Sequence, residues 1–534
     1  MAHRSHPERF AARYRVPMSD SHVFVTLGDI THLECDAWML PTDSNYSIRP
    51  AWRTAVPGLT DEVIARSKVE GFGAGAIKST PIVDWPTTSP LPVLSAVPPK
   101  GLRGPDDLVE LGEAVAEFIR VSERSTRARP QERRAKRLFA MPEFGSAGGG
   151  GALKKGEILD VLLSQARVAA SEHDVDVVIV LRDERTFALA QQLRKSMNGQ
   201  WSTLTPNQRE VIERLAELAR SGKLVPFMGA GVSVSAGGPT WPDLIAKLAD
   251  GVRMTEAQTI SLNSPGRSAL DQAAYLREAY RREYGDVSAF GNAVADAVST
   301  DRYGLAPALL ASLRTEQAIT LNYDTQFETA SVDVEDPRTI IPADGSQGGV
   351  SDKWLLKLHG SIKDPKTIVL TRDDYLGYNA NREALSAIVK ANLITHHLLF
   401  VGFGLADDHF HQIVHDVRKA IPTSESNKLG TALTMKADDL DQALWGEQLD
   451  LVVMGSADDQ REAGRQLEIF LDAVLAHATD GHSYLLHESF ESSLTASQDQ
   501  LRRKLMQFRD TLDEQDREDA SWPVIERLFQ ELGG

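Results

Sequence analysis

The sequence predicts an α/β protein of two units, the second a doubly wound parallel sheet with a helical insertion and a helical C-terminal tail. Three observations carry this. Short apolar runs such as Val177–Leu181 and Leu224–Met228 are continuous rather than alternating, as in strands buried on both faces. They alternate with segments of helical periodicity, which argues for parallel β-α-β units. Glycine-rich turns follow two of them directly, at 145–151 and 229–231. The 534 residues allow several cores at roughly 150 residues per domain.

In order, Val23–Leu27 and Asp36–Leu40 read as strands, the second ending at Pro41. Asp106–Arg120 reads as a helix, Leu138–Met141 as a strand, and a helix starts near Glu157. Val177–Leu181 and a helix over Thr186–Lys195 close the unit 1–197, and the polar stretch 198–207 reads as a linker. The second unit, 208–478, opens with a helix over Gln208–Ser221 and the strand Leu224–Met228. Helical patterns then fill Asp243–Leu313. Strands are expected at Ala318–Leu321, Trp354–Leu358, Thr367–Leu370, Leu398–Gly402 and Leu451–Met454. In the tail, 479–534, Leu501, Leu505, Phe508 and Leu512 recur at helical spacing, a stripe that packs on its own domain or on another subunit.

Composition narrows the function. Hydrophobic residues make up 42% and charged residues 25%, ordinary for a globular chain. The net charge of −17 argues against nucleic acid and anionic membranes as partners. A basic run (Arg120, Arg124, Arg127, Arg129, Arg133, Arg134, Lys136, Arg137) is read as a solvated loop, with no aromatics interleaved for base stacking. Cys35 is the single cysteine, which excludes an internal disulfide and a four-cysteine zinc site. No apolar run approaches the ~20 residues of a membrane span. The Arg-rich residues 1–16 lack an apolar signal core, so a cytoplasmic location is expected.

The candidate chemistry lies just past strand ends, where open α/β sheets bind ligands. Gly229-Ala230-Gly231-Val232-Ser233 gives a glycine turn that lets backbone approach a pyrophosphate. Asn322-Tyr323-Asp324, Leu358-His359-Gly360 and Val401-Gly402-Phe403-Gly404 follow at three other strand ends. Taken singly, each has a plainer reading as an Asx turn, a cap or a structural histidine. His409, His411 and His415 follow Asp407 and Asp408. The i, i+4 pair among them can face a metal, but the reading favoured here is a capped helix with solvated histidines.

As an ordered set, these motifs resemble the sirtuin-type NAD-binding domain, and most of all its divergent bacterial branch of NAD-degrading antiphage effectors. The resemblance implies NAD as substrate, with Ala230, Gly231 and Ser233 lining the phosphate loop. It implies that Asn322 positions the attacking water, that Asp324 holds the nicotinamide carboxamide, and that His359 is the general base. Gly402 and Gly404 would admit the adenosine ribose. Departures from the family are equally specific. The four-cysteine zinc module of protein deacylases is absent, Gly237-Gly238-Pro239-Thr240-Trp241 lacks the usual arginine, and Gly404 replaces a serine. No zinc is expected. The expected activity is NAD glycohydrolysis, regulated and depleting NAD. A deacylase or ADP-ribosyltransferase and a non-enzymatic NAD or ADP-ribose sensor are the alternatives.

The first unit is similar to macro domains, through Val25–Thr31, Asp36–Leu40, the 145–151 glycines, and Asp183 with Phe187. That resemblance implies a second ligand site for an ADP-ribose-like nucleotide. Asp29 would take the adenine amine and Gly148, Gly149, Gly150 and Gly151 a diphosphate. Asp43 stands where the family's catalytic asparagine falls, and Ser47-Ile48-Arg49-Pro50 where its first glycine loop falls, which argues against hydrolysis there. Ligand sensing and scaffolding are both open for this unit. Homo-oligomerisation and a phage or host protein trigger are expected from the effectors the second unit resembles.

Overall fold

The computed structural model describes residues 20–534 except 74, 76, 99–101, 103, 132, 147–153, 343–351, 406, 421–427 and 457. It contains two sheets flanked by helices.

The first sheet has six strands: β1 (Val23–Leu27), β2 (Ala37–Thr42), β3 (Ser79–Pro81), β4 (Leu91–Ala96), β5 (Leu138–Pro142) and β6 (Asp176–Leu181). Their spatial order is β1-β6-β5-β2-β4-β3. All neighbours are parallel except β3, which runs antiparallel to β4 at the edge. β1, β4 and β6 are buried along their whole length, as continuous apolar runs require. β2 does not end at Pro41. β5 pairs with it only at Ala37 and Trp38, so one side of β2 lacks a ladder neighbour where the proline sits.

The second sheet has seven strands: β7 (Leu224–Met228), β8 (Gln317–Thr320), β9 (Thr339–Ile341), β10 (Trp354–Lys357), β11 (His397–Val401), β12 (Gly430–Thr434) and β13 (Leu449–Val453). Their order is β13-β12-β11-β7-β8-β10-β9, all parallel. The chain leaves β7 toward β8 and later returns to β11 on the other side of β7. That reversal opens a crevice at the carboxyl ends of β7 and β11, the place where such sheets take ligands. Helices Trp241–Asp250, Glu256–Leu262, Ala269–Tyr284 and Ala289–Val298 form the insertion after β7, with an apolar core of their own around Leu244, Leu248, Leu276 and Phe290.

Thr367–Leu370 is not a strand. β10 already has β8 and β9 on its two sides, so that segment cannot pair beside it. It forms a short 3-10 turn at Pro365–Thr367 and then extended chain that touches the site.

One apolar cluster runs through both sheets, reaching from Phe24 and Val178 through Leu309 and Phe470 to Leu399 and Val452. The 198–207 stretch is packed rather than free, with Leu204 buried and Trp201 against the same cluster. The helix Gln460–Ala478, late in the chain, supplies the polar part of this junction. Arg465 forks onto Asp176 of β6 at 2.7 and 2.9 Å, and Arg134 meets Glu468 at 2.6 Å. Asp472 lies at the centre, wholly buried against His22, Arg194 and Trp201. Among the described residues, no helix is long and apolar enough to cross a membrane.

In the tail, the expected stripe divides. Leu505 and Leu512 pack against the cluster of Leu485, Leu486 and Phe529, whereas Leu501 and Phe508 are about half exposed. Leu512 lies just beyond the helix Ala496–Thr511, which ends on the cap contact from Leu512 N to Arg509 O.

Candidate functional site

The four motifs converge at the carboxyl ends of β7, β8, β10 and β11. β7 runs into Gly229 and a 3-10 helix over Ala230–Ala236. Ala230 and Gly231 are exposed at the crevice mouth. Gly231 N donates to Gly402 O at 2.9 Å, joining this loop to the turn after β11. The two glycines are fitted to each other. Gly402 has φ +61°, and a Cβ there would lie 2.4 Å from Val232 N and 2.7 Å from Gly231 C. The reciprocal Cβ on Gly231 would meet Gly402 Cα at 2.8 Å. Both obstacles are backbone, so neither can yield cheaply. Gly402→Ala is therefore expected to destabilise the chain by about 1–3 kcal/mol, the cost of a residue forced into a left-handed, clashing position, read as a lower denaturant midpoint. Gly404 has open space around its Cα and no such constraint.

Ser233 is buried and faces the interior, not the mouth. Its hydroxyl donates to Asp324 Oδ2 at 2.8 Å and accepts from Asn322 Nδ2 at 3.2 Å. Asn322 Nδ2 also donates to Gly229 O at 3.1 Å. Asp324 Oδ1 accepts from Gln326 N at 3.0 Å, at the first residue of the helix Gln326–Asp333. The loop after β8 is thus tied to the loop after β7 through three polar side chains.

His359 follows β10 and is buried. Its Nε2 has no hydrogen-bond partner among the described residues and lies 3.9 Å from Asp407 Oδ2. Burial pushes its pKa down to about 4 against the opposing pull of Asp407, so the imidazole is neutral at pH 7. A neutral, unengaged ring nitrogen is what a general base requires. The adjacent Gly360 has φ +92°, and a Cβ there would strike Thr367 O at 2.2 Å. The segment 367–370 closes the wall, with Val369 N donating to His359 O at 2.9 Å and Tyr323 Oη donating to Val369 O at 2.8 Å.

The histidine cluster differs from the expectation. Asp407 Oδ1 accepts from Phe410 N at 3.0 Å, as a helix cap does, and His415 is exposed. His409 is not solvated. It is buried, stacked on Tyr375 with ring centroids 4.2 Å apart, and its Nε2 donates to Tyr375 O at 3.2 Å. His359, Asp407 and His409 come together from separate segments. Asp407, Tyr375 and His409 are the site neighbours that spacing alone did not single out with His359. His359 lies some fifty residues upstream of Asp407 and His409, and no local pattern joins those two stretches.

In the first unit, Asp29 Oδ1 accepts from Thr31 N and Oγ1, and its Oδ2 pairs with Arg182. Its backbone N–H donates to Tyr303 Oη at 3.2 Å, and Tyr303, from the second unit, is buried against Gly28. Gly148, Gly149, Gly150 and Gly151 lie outside the described residues. A cavity of about 340 Å³ near this unit is lined by Trp38, Trp85 and Arg302, among others, and not by Asp29. The basic run is partly engaged: Arg134, Lys136 and Arg137 are largely buried, while Arg120, Arg127 and Arg133 stay solvated. Arg120, Arg127, Arg134, Lys136 and Arg137 are paired with Glu117, Glu123, Glu468, Asp174 and Asp36. Arg129 donates to the carbonyls of Ser89 and Trp85.

Residues 316–454, which include β8 to β13 and both Asn322 and His359, match the SIR2-like domain family. This stretch is similar to a SIR2-like domain. The chain is 30% identical over 224 residues to a protein of Bacillus subtilis named defense-associated sirtuin 2, covering 40% of this chain and 21% of that one. It is 28% identical over 224 residues to the NAD(+) hydrolase ThsA of Enterococcus faecium, covering 40% and 43%. The ThsA of Cytobacillus dafuensis is 27% identical over 203 residues, covering 36% and 37%. The chain thus spans between about a fifth and two fifths of the length of these relatives. The SIR2-like assignment agrees with the parallel sheet and its crevice.

Proposed function

We propose that this protein is an NAD glycohydrolase of the antiphage type, cleaving NAD to nicotinamide and ADP-ribose. The observation that carries the reading is the buried, neutral His359 after β10, at the same sheet end as Asn322 and the Gly229–Ser233 loop, with both Asn322 and His359 inside the stretch that matches the SIR2-like family. Three of its relatives bear the name NAD(+) hydrolase.

In this reading the diphosphate lies against the backbone of Ala230 and Gly231, and the adenosine ribose against Gly402 and Gly404. Asp324 faces the carboxamide of nicotinamide. The C–N bond to nicotinamide lengthens toward an oxocarbenium-like centre, and burial of the site keeps bulk water from it. Asn322 positions the attacking water, and His359 takes a proton from a ribose hydroxyl through Nε2. The resulting alkoxide takes the proton the water loses as its oxygen bonds the anomeric carbon, so that the one proton released per NAD leaves through His359. Nicotinamide leaves with the bonding electron pair, and the water oxygen completes ADP-ribose. The first unit serves as sensor or scaffold, and assembly into a homo-oligomer in the cytoplasm is part of the proposal.

The test is incubation of the purified chain with NAD and separation of the products. Stoichiometric nicotinamide and ADP-ribose without added peptide support it. NAD consumption that requires an acyl-lysine peptide points to deacylation, and tight binding without turnover to a sensor. The chain has one cysteine, buried Cys35, and so no four-cysteine zinc module, and the proposed hydrolysis is independent of zinc. Dialysis against a chelator is expected to leave NAD cleavage undiminished, and loss of activity restored by zinc would contradict this.

A further inference from the structure

We propose that His359, Asp407 and His409 form a binding site for a divalent transition cation of the zinc class, and that the cation switches the site off by occupying His359 Nε2. One potential ligand atom from each of the three residues lies within 4.8 Å of the others. The His359 Nε2 to Asp407 Oδ2 distance of 3.9 Å is a fraction of an ångström above what two ligands at ~2 Å from a tetrahedral ion span.

The surroundings are those of metal ligands. His409 Nε2 donates to Tyr375 O, which fixes the tautomer and leaves the Nδ1 lone pair as the ligand atom. Tyr375 Oη donates to Asp407 Oδ2 at 2.8 Å, orienting the carboxylate. Asp407 Oδ1 is held separately by Phe410 N, so the group cannot swing away. The rings of Tyr375 and Tyr378 pack on His409 with centroids 4.2 and 3.9 Å away. His359 Nε2 is buried without a hydrogen-bond partner among the described residues, a cost that a metal bond would remove. Two imidazoles and one carboxylate suit zinc, cobalt or nickel. They do not suit magnesium or calcium, which take oxygen ligands.

Three protein ligands leave the fourth position to water. With the cation bound, the Nε2 lone pair is committed to the metal and accepts no proton. Only this inhibitory half rests on the proposed hydrolase reading; binding does not.

The experiment titrates the full chain with cobalt(II), read by its visible absorption, and with zinc(II), read by calorimetry. NAD cleavage is followed in parallel with and without zinc. One cation per chain, tetrahedral cobalt absorption, and inhibition by zinc that a chelator reverses are the expected results. Tyr375→Phe, which removes only a supporting hydrogen bond, is expected to raise the zinc Kd ~10–100-fold. His409→Phe keeps a ring beside Tyr375, removes the ligand, and is expected to weaken binding further. Absence of binding, or a His409→Phe chain that binds as tightly as the parent, overturns the site. Stoichiometric binding at these residues without any effect on measured turnover overturns the switch. A chain that binds cobalt here yet never cleaves NAD keeps the site and refutes the hydrolase reading instead.

Discussion

Replacing His359 by alanine or glutamine is expected to reduce NAD cleavage ~10²–10⁴-fold, the range for loss of a positioned general base. The reason lies in how the ring is held. Burial keeps it neutral, Gly360 and the 367–370 segment fix the backbone that carries it, and its Nε2 has no hydrogen-bond partner among the described residues. The folded-state pKa, near 4, lies below the ordinary 6.5, so the base stays competent as pH falls from 7 to about 5. Below about 4 protonation removes it, and the acid limb of the rate profile is expected there. Asn322→Ala is expected to abolish cleavage too, but it also cuts the ties to Gly229 and Ser233. His359→Gln is therefore the cleaner variant. Circular dichroism on each variant separates lost chemistry from lost fold. A folded His359→Gln chain that cleaves NAD at the parental rate refutes the assignment.

What could be read in the sequence, and what could not, follows from range. Val177–Leu181 and Leu224–Met228 announce themselves because a strand covered on both faces needs nothing but apolar side chains. β4 was not expected, because Pro92 interrupts a run that tertiary pairing nevertheless recruits. β12, with Gly430 and two threonines, also carries little local signal. It is a strand because β11 and β13 flank it. The motif loops were legible because each needs particular residues at a strand end. The pairing of His359 with Asp407 and His409 was not, since it depends on β10 and β11 lying in one sheet. The inward turn of Ser233 was hidden for the same reason: its partners come from the loop after β8.

The largest effect on stability is expected at Asp472. This carboxylate is wholly buried in the helix Gln460–Ala478. Oδ2 meets His22 Nε2 at 2.8 Å, Trp201 Nε1 at 3.0 Å and the guanidinium of Arg194, itself wholly buried. Burial alone would raise its pKa, but Arg194 and His22 outweigh it and bring the group down to about 2. Asp472→Ala strands the Arg194 cation without its counter-charge, and breaking a buried pair in this way costs ~3–5 kcal/mol. Asp472→Asn keeps the shape and should cost less. The sign with pH is fixed by the depressed pKa. The contribution is fully present above the unfolded value near 3.8 and is lost as pH falls through about 2. Because β1 carries Val23 and Val25 beside this cluster, the loss should be felt in both sheets at once. A single unfolding transition, shifted down in denaturant without splitting, is the expected record. Two separate transitions in the parent chain would mean that the sheets fold independently. The same packing bears on how the first unit is tested as a regulator. Removing it would strip His22, Arg194 and Asp176 from the helix Gln460–Ala478, leaving Asp472 with Trp201 and Arg465 with Glu462 in place of the full network. Point changes at Asp29 or Arg182, whose side chains pair with each other away from Asp472, can therefore report on sensing while the junction stays intact.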